Sequence, residues 1–143
     1  DTMLREIFQT PLLDIDLLTG QRFRNYHAYC ETITKLATLR DKKICPGHNQ
    51  YIHGVDANIS FYTGKLVERA KRTRKYSSDL TVPQVVEQLF DGSAQEPFLK
   101  YLKASEIVCI RDFLAEPEHL QQALLQIDLY PQLAEAFLKA IDK

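Results

Sequence analysis

The chain has 143 residues, of which 45% are hydrophobic and 26% are charged, and its net charge is −1. This composition is that of an ordinary globular protein, and the length is that of one domain or of part of a larger one. With only 5 Gly and 6 Pro, the chain is neither collagen-like nor of low complexity. No apolar run approaches the roughly 18 residues of a membrane span, so we expect no transmembrane helix and no membrane partner.

The small net charge conceals an uneven distribution along the chain. Residues 1–64 are neutral overall, residues 65–75 contain six basic side chains and one acidic one, and residues 76–143 have a net charge of −6. A protein that binds nucleic acid along its whole length is usually more basic, so a nucleic-acid partner is not favoured. The basic segment 65–75 is interpreted as a solvated helix end, with contact to phosphate or RNA as the alternative.

The three cysteines, Cys30, Cys45 and Cys109, are widely spaced and form no Cys-x-x-Cys pair. An odd number at such spacings predicts reduced thiols, mostly in the core, of a cytoplasmic protein. A thiol-protease nucleophile is the weaker alternative for any one of them.

The first half of the chain predicts a loop, two helices and a strand. Residues 1–22 are expected to be a long loop with one short helical turn near Thr2–Phe8. An amphipathic helix from Phe23 to about Arg40 is predicted by residues at helical spacing, namely Tyr26, Cys30, Ile33 and Ala37. Lys42–Cys45 fits a short buried strand, because Pro46-Gly47 ends it at once. The second helix has an apolar face at helical spacing, formed by Val55, Ile59, Tyr62, Leu66 and Ala70.

The second half of the chain predicts only helices. Thr81 and Gln84 have the spacing of a capping box at a helix start, and Asp91-Gly92 ends that helix. Residues 97–143 predict two or three more helices, with starts at Pro117 and Pro131. The fold class is therefore mainly α with one or two short strands. We place a boundary between residues 1–78, which contain the candidate site, and an all-helical domain of residues 79–143.

The clearest local motif is Cys45-Pro46-Gly47-His48, in which a histidine follows a turn at the end of the predicted strand. A neutral imidazole held in such a frame could bind a metal ion, and the carboxylate of Asp1 could provide an oxygen ligand. A solvated loop histidine is the competing interpretation. The other histidines, His27, His53 and His119, form no metal-binding pair with each other by spacing.

Several segments in fixed order resemble a known family. They are Asp1-Thr2-Met3-Leu4, Arg24-Asn25-Tyr26, Lys43-Ile44-Cys45-Pro46-Gly47-His48, Ile59-Ser60-Phe61-Tyr62 and Leu80 to Phe90. Together they resemble the C-terminal half of a metallo-β-lactamase-fold hydrolase, in the branch that ends in an added helical domain. The resemblance covers residues 1 to about 90. It departs from the family pattern at Asn49, where a glycine is usual, and at Lys65-Leu66, where His-Arg is common.

The resemblance implies that Asp1 is the carboxylate that bridges two metal ions and that His48 is the last metal ligand. It also implies an αββα fold, zinc or another divalent metal in the full-length protein, and a small-molecule substrate. The family's His-x-His-x-Asp-His motif is absent from this sequence. We therefore expect the chain to be a fragment that is inactive alone, because two ligands cannot hold a dinuclear site.

Two other functions stay open. Residues 76–143 could form a helical binding module in which Asp1 and His48 have no role, or the fold could be a degenerate hydrolase that binds no metal.

In a fragment, the apolar faces of the first two helices would need cover. We expect self-association through these faces or a changed conformation of the first ~20 residues. The alternative is that the helical tail folds back over the faces.

Overall fold

The computed structural model describes residues 5, 8, 12–48, 50–76, 79–90 and 96–142. Asp1 and most of the predicted Thr2–Phe8 turn lie outside these residues. The described part is mainly helical, as the sequence predicts. Its six α-helices are α1 (Asn25–Ala37), α2 (Val55–Thr73), α3 (Val82–Phe90), α4 (Pro97–Ala115), α5 (Pro117–Gln126) and α6 (Tyr130–Ile141). A short 3₁₀ helix, Arg74–Tyr76, follows α2 directly.

The prediction of a buried strand at Lys42–Cys45 is wrong. Within the described residues there is no strand, and Ile44 forms only an isolated antiparallel bridge with Ile52. Ile44 is half-buried, whereas Lys42, Lys43 and Cys45 are exposed. A short apolar segment forms a strand only where a neighbouring strand can satisfy its backbone groups, and the bridge supplies only one such pair.

The two long helices of the first half bury the faces that their periodicity predicts. In α1, Tyr26, Cys30, Ile33 and Ala37 are buried, and the helix ends at Ala37, three residues before the predicted end. Turn residues 38–40 follow it. In α2, all five predicted positions are buried, namely Val55, Ile59, Tyr62, Leu66 and Ala70.

The predicted starts of the later helices are also confirmed. The Gln84 side chain accepts a hydrogen bond from the backbone N–H of Thr81 (2.8 Å), which is one half of a capping box. Pro117 and Pro131 lie in the first turns of α5 and α6, where the missing N–H of proline costs no helical hydrogen bond.

The main core is shared by α1, α2, α4, α5 and α6. At its centre, the ring of Phe113 on α4 packs edge-on against Tyr26 of α1 (5.9 Å between centroids) and Phe137 of α6 (5.6 Å). The apolar faces of α1 and α2 are therefore covered by α4, α5 and α6. This arrangement is the alternative in which the helical tail folds back over these faces. Self-association stays a prediction.

A second, smaller cluster lies between α3 and α4, with Val85, Val86 and Ile107 buried at its centre. The division into residues 1–78 and 79–143 stays a prediction.

Cys30 and Cys109 are buried in the main core, and burial raises the pKa of each thiol to about 12. Cys45 is exposed, in contrast to the other two.

Residues 12–24 form an irregular segment with one tight turn, which agrees with the predicted loop up to residue 22 and extends it by two residues, because α1 begins at Asn25 and not at Phe23. Ile15 bridges Arg22, and the Asp16 carboxylate accepts hydrogen bonds from the backbone N–H groups of Leu18 (2.8 Å) and Thr19 (3.1 Å). Gly20 completes the turn with φ +69°. At the tip, the side chains of Leu17 and Leu18 are almost fully exposed, at 95% and 97%.

The basic segment 65–75 is only partly a solvated helix end. Arg69 forms an ion pair with the buried Glu106 of α4 (2.7 Å), and Arg74 donates a hydrogen bond to the Ala140 carbonyl of α6 (3.1 Å). Lys65 and Arg72 pair with the exposed Glu68 on the same helix. Two of the six cations therefore connect helices to each other.

Within the described residues, none of the helices combines the length and the apolar character that crossing a membrane requires.

Gly64 lies in the middle of α2 and offers a test of the helix. A Cβ built at this position would meet no atom within 4 Å. We expect Gly64→Ala to raise the free energy of unfolding by about 1 kcal/mol, because alanine loses less backbone entropy in a helix. The measurement is urea denaturation monitored by circular dichroism. Gly54→Ala is the matched control and should be destabilising, because Gly54 has φ +80°. A lower stability for Gly64→Ala would contradict this description of α2.

Candidate functional site

The predicted ligand His48 lies in the loop that joins α1 to α2. The bridge closes this loop, with hydrogen bonds from Ile44 N to Ile52 O (3.2 Å) and from Ile52 N to Ile44 O (3.0 Å). His48 is exposed inside the loop, and Pro46 is half-buried beside it. The exposure of His48 is compatible with both interpretations, a metal ligand and a solvated histidine.

The other predicted ligand, Asp1, lies outside the described residues, so its distance from His48 stays untested. The nearest described residue along the chain is Arg5. Its guanidinium donates a hydrogen bond to the side chain of Gln50 (2.8 Å), two residues after His48. Arg5 also lines a cavity of about 350 Å³ together with His53, Gly54 and Phe61 at the start of α2. Arg5 therefore lies against the loop that contains His48.

A second group of potential metal ligands comes from two parts of the chain far apart in sequence. It consists of His27, Glu116 and His119, and the candidate ligand atoms all lie within 4.8 Å of one another. The Nε2 atom of His27 is 2.8 Å from Glu116 Oε2, and that of His119 is 3.7 Å from the same oxygen. We call these three residues the His–Glu–His group.

Local sequence explains how this group is positioned. Pro117 is the first residue of α5, and proline disfavours a helical conformation in the residue before it. Glu116 accordingly adopts φ −135° and ψ 57°, and the chain turns there from α4 into α5. His27 lies in the first turn of α1 and His119 in the first turn of α5, which pack together in the main core.

Hydrogen bonds hold the turn at Glu116, between α4 and α5, against α1. Arg24 donates to Glu116 Oε1 (2.5 Å), and the Tyr26 hydroxyl donates to the Glu116 carbonyl (2.8 Å). The same hydroxyl accepts the backbone N–H of Leu120 (3.1 Å). The hydrogen bond from Arg24, with a smaller contribution from His27, lowers the pKa of the Glu116 carboxyl. Glu116 is therefore a carboxylate near neutral pH, and its Oε2 atom is directed at the two imidazoles.

Beside the group is an open cavity of about 360 Å³. His27, Cys30 and Thr34 of α1 line one side of it, and His119 and Gln122 of α5 line the other. The Nδ1 atoms of both histidines are buried and have no hydrogen-bond partner among the described residues. The two rings meet edge to face, with 4.5 Å between their centroids.

The His–Glu–His group was not predicted from the sequence, because the spacing of the histidines alone does not indicate it. The spacing of Glu116 and His119, three residues apart at a helix start, was a visible local signal. The contribution of His27 was not visible, because it depends on the packing of α1 against α5.

Comparisons with known proteins give no match to this chain, either among protein-family models, among curated proteins or among solved structures.

Proposed function

We propose that this chain is the C-terminal part of a metal-dependent hydrolase with an αββα metallo-β-lactamase fold. In this proposal Asp1 and His48 are ligands of a dinuclear zinc centre, and the helices after residue 78 form the added tail. The other ligands would come from a His-x-His-x-Asp-His segment that precedes Asp1. The substrate would be a small molecule, and the chain by itself would be inactive.

The single observation that carries the proposal is the hydrogen bond from Arg5 to Gln50. It connects Arg5 to the loop of His48 across 45 positions of sequence. Arg5 is four positions after Asp1 in the sequence, and four residue steps span at most ~14 Å when extended. A shared site for the two side chains is therefore compatible with the length of the chain.

The order of elements gives further support. The resemblance requires a helix, a short extended segment that ends in Pro-Gly-His, and a second helix. The described residues have α1, the bridged residue Ile44, the exposed His48 and α2 in this order. Residues 42–45 form only the one bridge to Ile52, which fits an edge that would pair with strands from the rest of the parent fold.

Histidine nitrogen and aspartate oxygen form a donor set suited to zinc. When bound, the two metal ions would lower the pKa of a water molecule toward ~7 and so supply a hydroxide nucleophile. This chain would contribute the position of that centre, because the bridged loop between α1 and α2 holds the exposed His48.

The test uses the intact protein, including whatever sequence precedes Asp1. Bound zinc is measured by mass spectrometry, and hydrolysis is measured with chromogenic thioester and phosphodiester substrates. We expect His48→Gln to lose bound metal and to lower kcat/KM by at least about ten-fold, since a ligand to the metal is removed. His53→Gln is the matched control, because His53 is also exposed, five residues further along, and should retain both properties.

Equal activity and metal content in wild type and His48→Gln would overturn the proposal. An intact protein that lacks the His-x-His-x-Asp-His segment would do the same. Either result would favour the helical binding module instead.

A further inference from the structure

We propose that the His–Glu–His group is a binding site for one zinc ion, separate from the centre to which Asp1 and His48 would belong. The ligands would be the Nε2 atoms of His27 and His119 and the Oε2 atom of Glu116. Two histidines and one glutamate are a known protein ligand set for zinc, in which the fourth position is left for water.

The distances are close to those that zinc requires. Zinc binds nitrogen and oxygen at about 2.0–2.2 Å, so neighbouring ligands of a tetrahedral ion lie about 3.3–3.5 Å apart. The Nε2 atom of His27 lies 2.8 Å from Glu116 Oε2, below this range, and that of His119 lies 3.7 Å away, above it. The three ligand atoms all lie within 4.8 Å of one another, so the side chains would have to move closer together to bind one ion.

The residues that carry the ligands are held in place without the ion. Glu116 is fixed through its backbone by Tyr26 and through Oε1 by Arg24, so its Oε2 atom stays on the side of the histidines. Both histidines lie on helices, which position ligands more firmly than loops do. The open cavity beside them gives the ion and a water ligand access from solvent.

Two features set the expected strength of binding. Arg24 competes for the charge of Glu116, and neither Nδ1 atom has an acceptor among the described residues. A histidine that binds zinc usually donates its second N–H to a carbonyl or carboxylate, and loss of such a partner weakens binding about 10–100-fold. We therefore expect micromolar rather than nanomolar affinity.

The rival explanation is that the group only fastens α5 to α1. Binding of zinc distinguishes the two. The test is calorimetric titration of the 143-residue chain with zinc chloride, together with the visible spectrum of the Co²⁺-loaded chain. We expect one ion per chain, a Co²⁺ spectrum of low coordination number, and a higher Tm with zinc than without it.

The variants are His27→Gln and His119→Gln. Glutamine can still donate a hydrogen bond to Glu116, but it is a poor zinc ligand. Each variant should weaken binding by at least about ten-fold and abolish the rise in Tm. The Nε2 atom of His119 lies 3.7 Å from Glu116 Oε2, beyond hydrogen-bond distance, and the hydrogen bond from His119 to Glu116 is made by its backbone N–H. We therefore expect His119→Gln to keep the fold even where His27→Gln does not. Circular dichroism checks this.

His53→Gln is the matched control, because His53 is an exposed histidine outside both proposed sites, and it should bind zinc like the wild type. His48→Gln removes a ligand of the other proposed centre and therefore distinguishes the two sites. Unchanged binding in His119→Gln, or no binding by the wild type, would overturn the proposal. Loss of binding in His48→Gln alone would also overturn it, and that result would instead support the centre proposed for the intact hydrolase. Each of the two proposals can therefore be overturned independently of the other.

Discussion

Phe113→Ala is expected to lower the free energy of unfolding by about 3–5 kcal/mol. Phe113 is completely buried, and its ring packs against Tyr26 and Phe137. Removing the ring takes away its transfer free energy and leaves a cavity where α1, α4 and α6 meet, because the surrounding helices relax only partly. A loss of this size is a large fraction of the 5–15 kcal/mol typical of a domain.

The measurement is urea denaturation of the wild type and the variant under the same conditions. Phe98→Ala is the matched control, because it makes the same chemical change on the same helix at a residue that is 64% exposed. We expect its effect to stay within roughly 0.5 kcal/mol. Equal losses for the two variants would show that Phe113 is not at the centre of the core.

Arg69→Met is expected to lower the free energy of unfolding by about 3 kcal/mol. The carboxylate of Glu106 is only 3% exposed, and Arg69 is 2.7 Å from it. The remaining cation, Lys103, lies 3.6 Å away, beyond a hydrogen bond. Without Arg69, a buried charge loses its main partner, and its desolvation is no longer compensated.

Two further variants separate the buried charge from the loss of a surface cation. Arg72→Met, one turn along the same helix, removes an arginine that is 66% exposed and should cost less than about 1 kcal/mol. The double variant Arg69→Met with Glu106→Leu should recover much of the stability, because no charge is left buried. If Arg69→Met costs no more than Arg72→Met, the ion pair is not the connection between α2 and α4 described above.

The helices could be predicted from the sequence because their signals are local. Residues three and four apart share a face, so the buried positions of α1 and α2, from Tyr26 to Ala70, follow from the spacing of apolar residues. The starts at Thr81, Pro117 and Pro131 follow from capping and proline geometry. The segment Lys42–Cys45 was misjudged because a short apolar run does not by itself show whether a second strand is available.

The candidate sites show the limit of the same reasoning. His48 was identified from the turn before it and from a resemblance, both of which can be read in the sequence. His27 and Glu116 are 89 residues apart, and their contact arises only from the packing of α1 on the corner at Pro117. No spacing rule reports such a contact, because it depends on how two helices meet in space.

The turn at Asp16 has a consequence for the behaviour of the protein in solution. Its backbone hydrogen bonds hold Leu17 and Leu18 outward, although complete burial of one leucine side chain is worth about 1.5–3 kcal/mol. The turn cannot withdraw these side chains without breaking its own hydrogen bonds to Asp16. The turn therefore holds two adjacent leucine side chains in water, and kosmotropic salts such as sulfate will favour the contact of these side chains with other apolar surfaces.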